Sequence, residues 1–436
     1  MRTHHAVLEM ITAALATLVA GLSLLLPNGF RWASQTSVLQ LDMLAASQPK
    51  AIAVGAIVAL IVAVFATTVN HALVAWGTAL CGVATMLLAH LLAESGDQSI
   101  APATLNYLEA LAGGILLGGI AVAVLRGWLQ VFGWTLGALA AVVFGQLGST
   151  STGTVRGGVM GAPGWSTTTL PPLWLIVITL VLVIVGMVVN RNQDTVERRS
   201  VELPMAPIVA GLVFVIVEVF GAEWLARHAE STGHIVTAAV LTVAAAVVAA
   251  VLLPRRDGVL ILLAVALAAV GGALIPARLP LWSVAPLVLL IALGLIAGFR
   301  RPMPMLAVVV LAAMALYCAL VTGHRIGGGV QAAVLSGLLA VVAGYSFGSA
   351  APRYNPTRVL GVAIVFVPSV ITALRDRLGR QQCVSDLGRW YLCPAPTMAS
   401  PAPFWTALGI TAGCAAGLLA LRYWRKPTTP ESVADI

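Results

Sequence analysis

The chain has 436 residues, of which 60% are hydrophobic and only 9% charged, with a formal net charge of +8. A soluble chain would carry roughly 25% charged residues, so a large water-soluble protein is excluded: too little charged surface would be left to face water. Apart from Lys50 and Lys426 every basic residue other than histidine is arginine, most lie between apolar runs, and they read as topology and contact with anionic lipid rather than with nucleic acid.

Apolar runs fill the chain at 6–26, 51–68, 71–93, 106–125, 128–147, 172–190, 205–224, 234–253, 258–276, 281–299, 304–322, 328–349, 358–374 and 403–421. Hydrocarbon is about 30 Å thick and a helix needs roughly 20 residues to cross it. Lipid cannot hydrogen-bond an exposed backbone, so runs that cross it must be helices. The fold class is therefore all-α: a polytopic transmembrane bundle of about 14 spans. The first run follows a short basic start (Arg2, His4, His5) with no Ala-x-Ala site directly behind it, and reads as a retained span. With the N-terminus cytoplasmic, the inside loops hold the larger share of Arg and Lys, and both termini are expected inside, in an inner membrane.

Charge inside hydrocarbon is costly, so each ionisable residue in a span is a functional candidate. Glu9 lies near the inner end of span one, beside His4 and His5, where it can snorkel. Asn70 and His71 stand in the tight break between spans two and three, and His90 near the outer end of span three. These three are substrate-path candidates. Glu109 sits three residues into span four, near the outer surface. Glu218 lies deeper, inside Val213–Phe220, and is the best single candidate for a group that exchanges protons within the membrane. Its alternative is a carboxylate that snorkels toward Glu223 and Arg227.

Glycines mark packing. Gly113, Gly114, Gly118 and Gly119 of span four, with Gly133 and Gly137 of span five, recur at spacings that let helix backbones approach closely. Cys81, Cys318 and Cys414 fall in apolar runs and read as small packing residues. Cys383 and Cys393 share the 375–402 loop, expected outside, and are predicted to form a disulfide, with two free thiols as the alternative. Trp174, Trp224, Trp282, Trp405 and Trp424 lie near span ends, as an interfacial belt would. A phosphate-binding Gly-x-x-x-x-Gly-Lys-Ser/Thr loop does not occur, nor does His-Glu-x-x-His or Gly-x-Ser-x-Gly. The chain therefore carries no motif of an ATPase, metalloprotease or esterase, and no cofactor or metal is expected.

In this order of features the chain resembles the major facilitator superfamily, most of all its fourteen-span drug-exporter branch. The likeness rests on Leu39–Leu44 leading into span two, Asn70-His71-Ala72-Leu73 between spans two and three, the Gly-rich span four, Arg126, and Gly133-Trp134-Thr135-Leu136-Gly137 of span five. Arg300-Arg301-Pro302 would be the pseudo-repeat of the two–three loop. The resemblance implies a six-span bundle over 1–190, a linker with an inserted helix pair over 191–257, and a second six-span bundle with a cytoplasmic tail over 258–436. It implies a secondary transporter, not an enzyme, exporting a hydrophobic or amphipathic small molecule by alternating access, with Glu218, Glu109 and Glu9 as proton-coupling candidates. Lipids and that substrate would be its partners. Two alternatives stay open: a non-transporting subunit of an envelope-assembly or transport complex, and a lipid-linked glycosyltransferase using Asp42, or a flippase.

Overall fold

The computed structural model describes residues 2–26, 38–69, 71–94, 102–148, 171–191, 205–228, 231–254, 257–274, 281–321, 329–350, 352, 354–375 and 400–424. Among them are fourteen α-helices: α1 (Arg2–Leu25), α2 (Val38–Val69), α3 (Ala72–Glu94), α4 (Pro102–Val124), α5 (Trp128–Gly148), α6 (Leu173–Val189), α7 (Ala206–His228), α8 (Thr232–Leu252), α9 (Gly258–Ala273), α10 (Val284–Arg300), α11 (Pro304–Val321), α12 (Gly329–Ala350), α13 (Asn355–Phe366) and α14 (Ala402–Trp424). Eleven are long and apolar enough to cross a membrane, counting α13 with the helical residues that follow its break, Asn355–Arg375. The other three, α6, α9 and α10, are apolar but shorter. The molecule is an all-α, multi-pass membrane bundle. Its outward side chains are apolar: Phe65, Phe220, Leu289 and Leu293 are all exposed, as lipid-facing residues should be. Trp174, Trp282 and Trp424 are exposed at helix ends.

Two elements differ from the expected spans. Helix α2 begins at Val38, inside what reads as an outer segment, and runs 32 residues. At 1.5 Å per residue that is about 48 Å, well beyond the hydrocarbon, so its first turns extend past the membrane. The expected continuous span 358–374 is interrupted: α13 ends at Phe366 and helix resumes at 370–375. Pro368 has no N–H to give to Ile364, and it forces the preceding residue out of the helical region. Val367 accordingly has φ −65° and ψ 127°.

The helix pairings repeat. In the first six helices α1 packs on α4, α5 and α6, α2 packs on α4, and α3 packs on α4 and α6. In the last six, taken as α9 to α14, the same positions pair: α9 on α12, α13 and α14, α10 on α12, and α11 on α12 and α14. The main contacts between the two sets are reciprocal, α2 with α13 and α5 with α10, the second helix of one against the fifth of the other. The hairpin α7–α8 stands outside both sets. Helix α7 packs on α2 and α13, and α8 packs on α9 and α14.

Small residues set the closest crossings. A Cβ on Gly114 would lie 2.2 Å from the Gly55 carbonyl oxygen, and one on Gly118 would lie 2.2 Å from that of Ala59, where α4 crosses α2. The crossing of α10 and α12 has the same construction: Cβ atoms on Gly294 and Gly344 would lie 2.1 Å from the carbonyl oxygens of Val341 and Ile291. Between helices in lipid there is little hydrophobic driving force, so close backbone packing of this kind holds them together.

Candidate functional site

A buried polar site lies where α7, α8 and the α13 break meet. Glu218 is the thirteenth of the 23 residues of α7 and is 3% exposed. Its Oε1 accepts a hydrogen bond from the Val370 backbone N–H at 2.8 Å, and its Oε2 accepts one from the Thr242 hydroxyl at 3.0 Å. Thr242 is likewise buried at mid-length in α8. Both oxygens therefore serve as acceptors, and Glu218 turns inward instead of snorkelling toward Glu223. Glu223, near the end of α7, pairs with Lys50 of α2, Nζ at 3.5 Å, and with Arg227 one turn on.

The local chain chemistry explains why Val370 needs Glu218. In an unbroken helix its N–H would reach the Phe366 carbonyl, but the Pro368 break removes that geometry. Ser369 caps the resumed segment: its Oγ accepts from Thr372 N–H at 3.3 Å and lies 3.1 Å from Thr372 Oγ1. At the far end Arg375 Nη1 donates to the carbonyls of Gly272 and Leu274, at 3.1 and 3.0 Å. Gly272 is where α9 meets the break, since a Cβ there would lie 2.7 Å from Ser369 Oγ.

Glu109 is the contrary case. It lies eight residues into α4, is 0% exposed, and among the described residues neither of its oxygens has a hydrogen-bond partner. The amide nitrogen of buried Asn106, one turn away, also lacks one. Glu109 is thus fully enclosed by its neighbours. Gly113, one turn deeper, packs on Ser23 and Ala20 of α1. Antiparallel packing sets Gly82 of α3 against Ala112 and Leu116, and Ala79 against Gly119; two turns outward, this register brings buried His90 to the depth of Asn106 and Glu109.

The remaining candidates lie apart. Glu9, half-buried at the opposite end of the bundle, accepts a hydrogen bond from Gln130 Nε2 at 2.9 Å. It helps line a cavity of about 500 Å³ with His5, Arg126, Gln130 and Val189. His71 is exposed at the α2–α3 turn, where its carbonyl accepts from Val74 and Ala75 N–H. On α5, Gly133 and Gly137 admit the backbone of α1 at Met10 and Ala14, and Gly119 of α4 admits α3. Asn70, Cys383 and Cys393 lie outside the described residues. Cys318 and Cys414 are buried, whereas Cys81 is exposed rather than packed.

Sequence reasoning missed Thr242, Val370 and a second buried polar pair, Thr357 Oγ1 donating to Asp257 at 3.2 Å between α13 and the start of α9. One available signal was Pro368 followed by Ser369 inside an apolar run, the pattern of a helix stop and a new N-cap.

No family model matches the chain. No curated protein matches it. Among solved structures the chain is similar to the fucose:proton symporter of E. coli, with 15% identity and a TM-score of 0.46 over 98% of this chain and 99% of that one. It is also similar to the xylose transporter of E. coli in a partially occluded inward-open conformation, with 12% identity and a TM-score of 0.47 over 99% of this chain and 100% of that one.

Proposed function

We propose that this protein is a secondary transporter of the major facilitator type, exporting a hydrophobic or amphipathic small molecule with proton coupling. The observation that carries this reading is the repeated pairing: six helix contacts of α1–α6 recur in α9–α14, and the sets meet reciprocally through α2·α13 and α5·α10. Two bundles joined in that way can rock against each other around a site at their seam. In this reading the bundles are 1–190 and 258–436, and 191–257 supplies the inserted pair. Among the described residues the buried side chains are mostly apolar and the buried polar ones are mostly uncharged, which suits an apolar substrate. Glu109 and Glu218 are the proton-coupling groups. Among the described residues no donor meets Glu109, and an isolated buried carboxylate is costly, which suits a group that takes up a proton. A proton requires no cavity.

The test is a flux assay in proteoliposomes with a pH dye trapped inside and a panel of lipophilic fluorescent dyes as probes. Wild-type protein is expected to move protons in exchange for at least one dye. Glu109→Gln and Glu218→Gln should each abolish the exchange. Unchanged flux in both variants removes proton coupling through these residues. Absence of all dye movement, with stoichiometric co-elution of a larger membrane enzyme in mild detergent, replaces transport with the subunit reading.

A further inference from the structure

Hairpin α7–α8 belongs to neither six-helix set, yet it provides both side-chain contacts of the Glu218 site: Glu218 itself and Thr242. The element it grips is a helix cut at Val367-Pro368-Ser369, and α13 is also the helix that meets α2 across the seam. Beyond the break, the described helix has only the residues 370–375, anchored by Arg375 to the end of α9. We propose that Glu218 is a proton-operated latch: as a carboxylate it fastens the hairpin to the hinge in α13, and a proton releases it.

The chemistry follows from donor and acceptor counts. A carboxylate accepts at both oxygens, which is what Val370 N–H and Thr242 O–H require. A protonated carboxyl is an acceptor at one oxygen and a donor at the other, so Thr242 must turn to accept, and the bond from Val370 loses its charge. Charge-assisted hydrogen bonds are about twice as strong as neutral ones. The proton and the closed hinge thus compete for one carboxylate, and each weakens the hold of the other. Proline at 368 leaves the hinge no competing helical hydrogen bond from that residue to restore.

Among the described residues no other titratable group stands in for Glu218. From α8 only Thr242 reaches it; His234 lies in the first turn of that helix, against Trp224 and His228. From α2, Lys50 is at the level of Glu223 and paired with it. From α13, Arg375 is held by α9 carbonyls. From α14 the Cys414 thiol lies within the field of Glu218. Helix α9 carries no titratable side chain.

The experiment measures distance, not transport. Spin labels at Ala373→Cys, beyond the break, and Thr237→Cys, on exposed α8, would be placed in a chain whose five native cysteines are serine or alanine, reconstituted in phosphatidylcholine–phosphatidylglycerol nanodiscs. At high pH a single short distance is expected, and at low pH a second, longer population. Glu218→Gln, a mimic of the protonated side chain, should show the longer population at every pH. Thr242→Val removes one donor to the carboxylate and should move the transition to higher pH. Glu109→Gln should leave the transition where it is. Distances that do not change with pH in the parent, or a pH response that survives Glu218→Gln, overturn the latch. Thr242→Val also answers the question if Glu218→Gln fails to fold: an unmoved transition there overturns the proposal. Transport that fails while the hinge still responds leaves the latch standing and removes the transport reading; the converse result does the reverse.

Discussion

Valine at Gly118 is expected to lower the stability of the folded protein sharply, by about 1–3 kcal/mol as for other overpacked sites, and to reduce the yield of monodisperse protein in detergent. A Cβ at that position falls 2.2 Å from the Ala59 carbonyl oxygen and 3.1 Å from the Ala63 amide nitrogen. Those atoms are backbone, so no rotamer change relieves the clash; α2 and α4 must separate. In lipid that separation is not offset by burial elsewhere, because the helices are held by close contact rather than by exclusion of water. Gly344→Val should do the same at the α10·α12 crossing, where the Ile291 carbonyl lies 2.1 Å from the added atom. Gly77→Ala is the control. Nothing lies within 4 Å of a Cβ there, and alanine improves helix propensity by about 1 kcal/mol, so its melting midpoint should hold or rise. Thermal melts of the four proteins in one detergent check the order. Equal midpoints for Gly118→Val and Gly77→Ala would show that the crossing is not what holds α2 to α4.

Fourteen helices could be read from the sequence because the bilayer imposes a length and a polarity that a run of letters displays directly. Glu218 stood out for the same reason, as a charge inside Val213–Phe220. Its partners did not. Thr242 and Val370 are 24 and 152 positions away, and one chain's periodicity holds no record of which helices touch. The enclosure of Glu109 could not be read either, because distance from a span end says nothing about what lies over the residue; α4 packs on α1, α2 and α3, and Glu109 is wholly enclosed. The early start of α2 was missed for a related reason. Leu39–Gln48 is too polar to be hydrocarbon-spanning, yet a helix can leave the membrane without stopping. Pro368 was a visible helix breaker inside an apolar run, outweighed by the hydropathy on either side of it.

Leucine substitutions at the two enclosed glutamates are expected to move stability in opposite directions. Glu109 contributes two buried oxygens that no donor among the described residues meets. Leucine removes the desolvation cost of an unsatisfied polar group, about 1–3 kcal/mol, and adds apolar contact in the same space. Glu109→Leu should therefore melt higher than the parent and, if the transport reading is correct, move no protons. At Glu218 leucine leaves the Val370 N–H and the Thr242 hydroxyl without their acceptor, and the same cost falls on the folded state with the opposite sign. Glu218→Leu should melt lower by a similar amount. Adding Thr242→Val to Glu218→Leu should recover part of the loss, since one orphaned group is removed, while the Val370 amide, which no substitution can delete, keeps the remainder. A stabilised Glu218→Leu would mean that the carboxylate is not needed to close the α13 break. A destabilised Glu109→Leu would mean that Glu109 has a partner in the folded protein. A gain at Glu109 is the signature of a residue retained at the expense of the fold, as a carboxyl kept for function in the most buried helix of the first bundle would be.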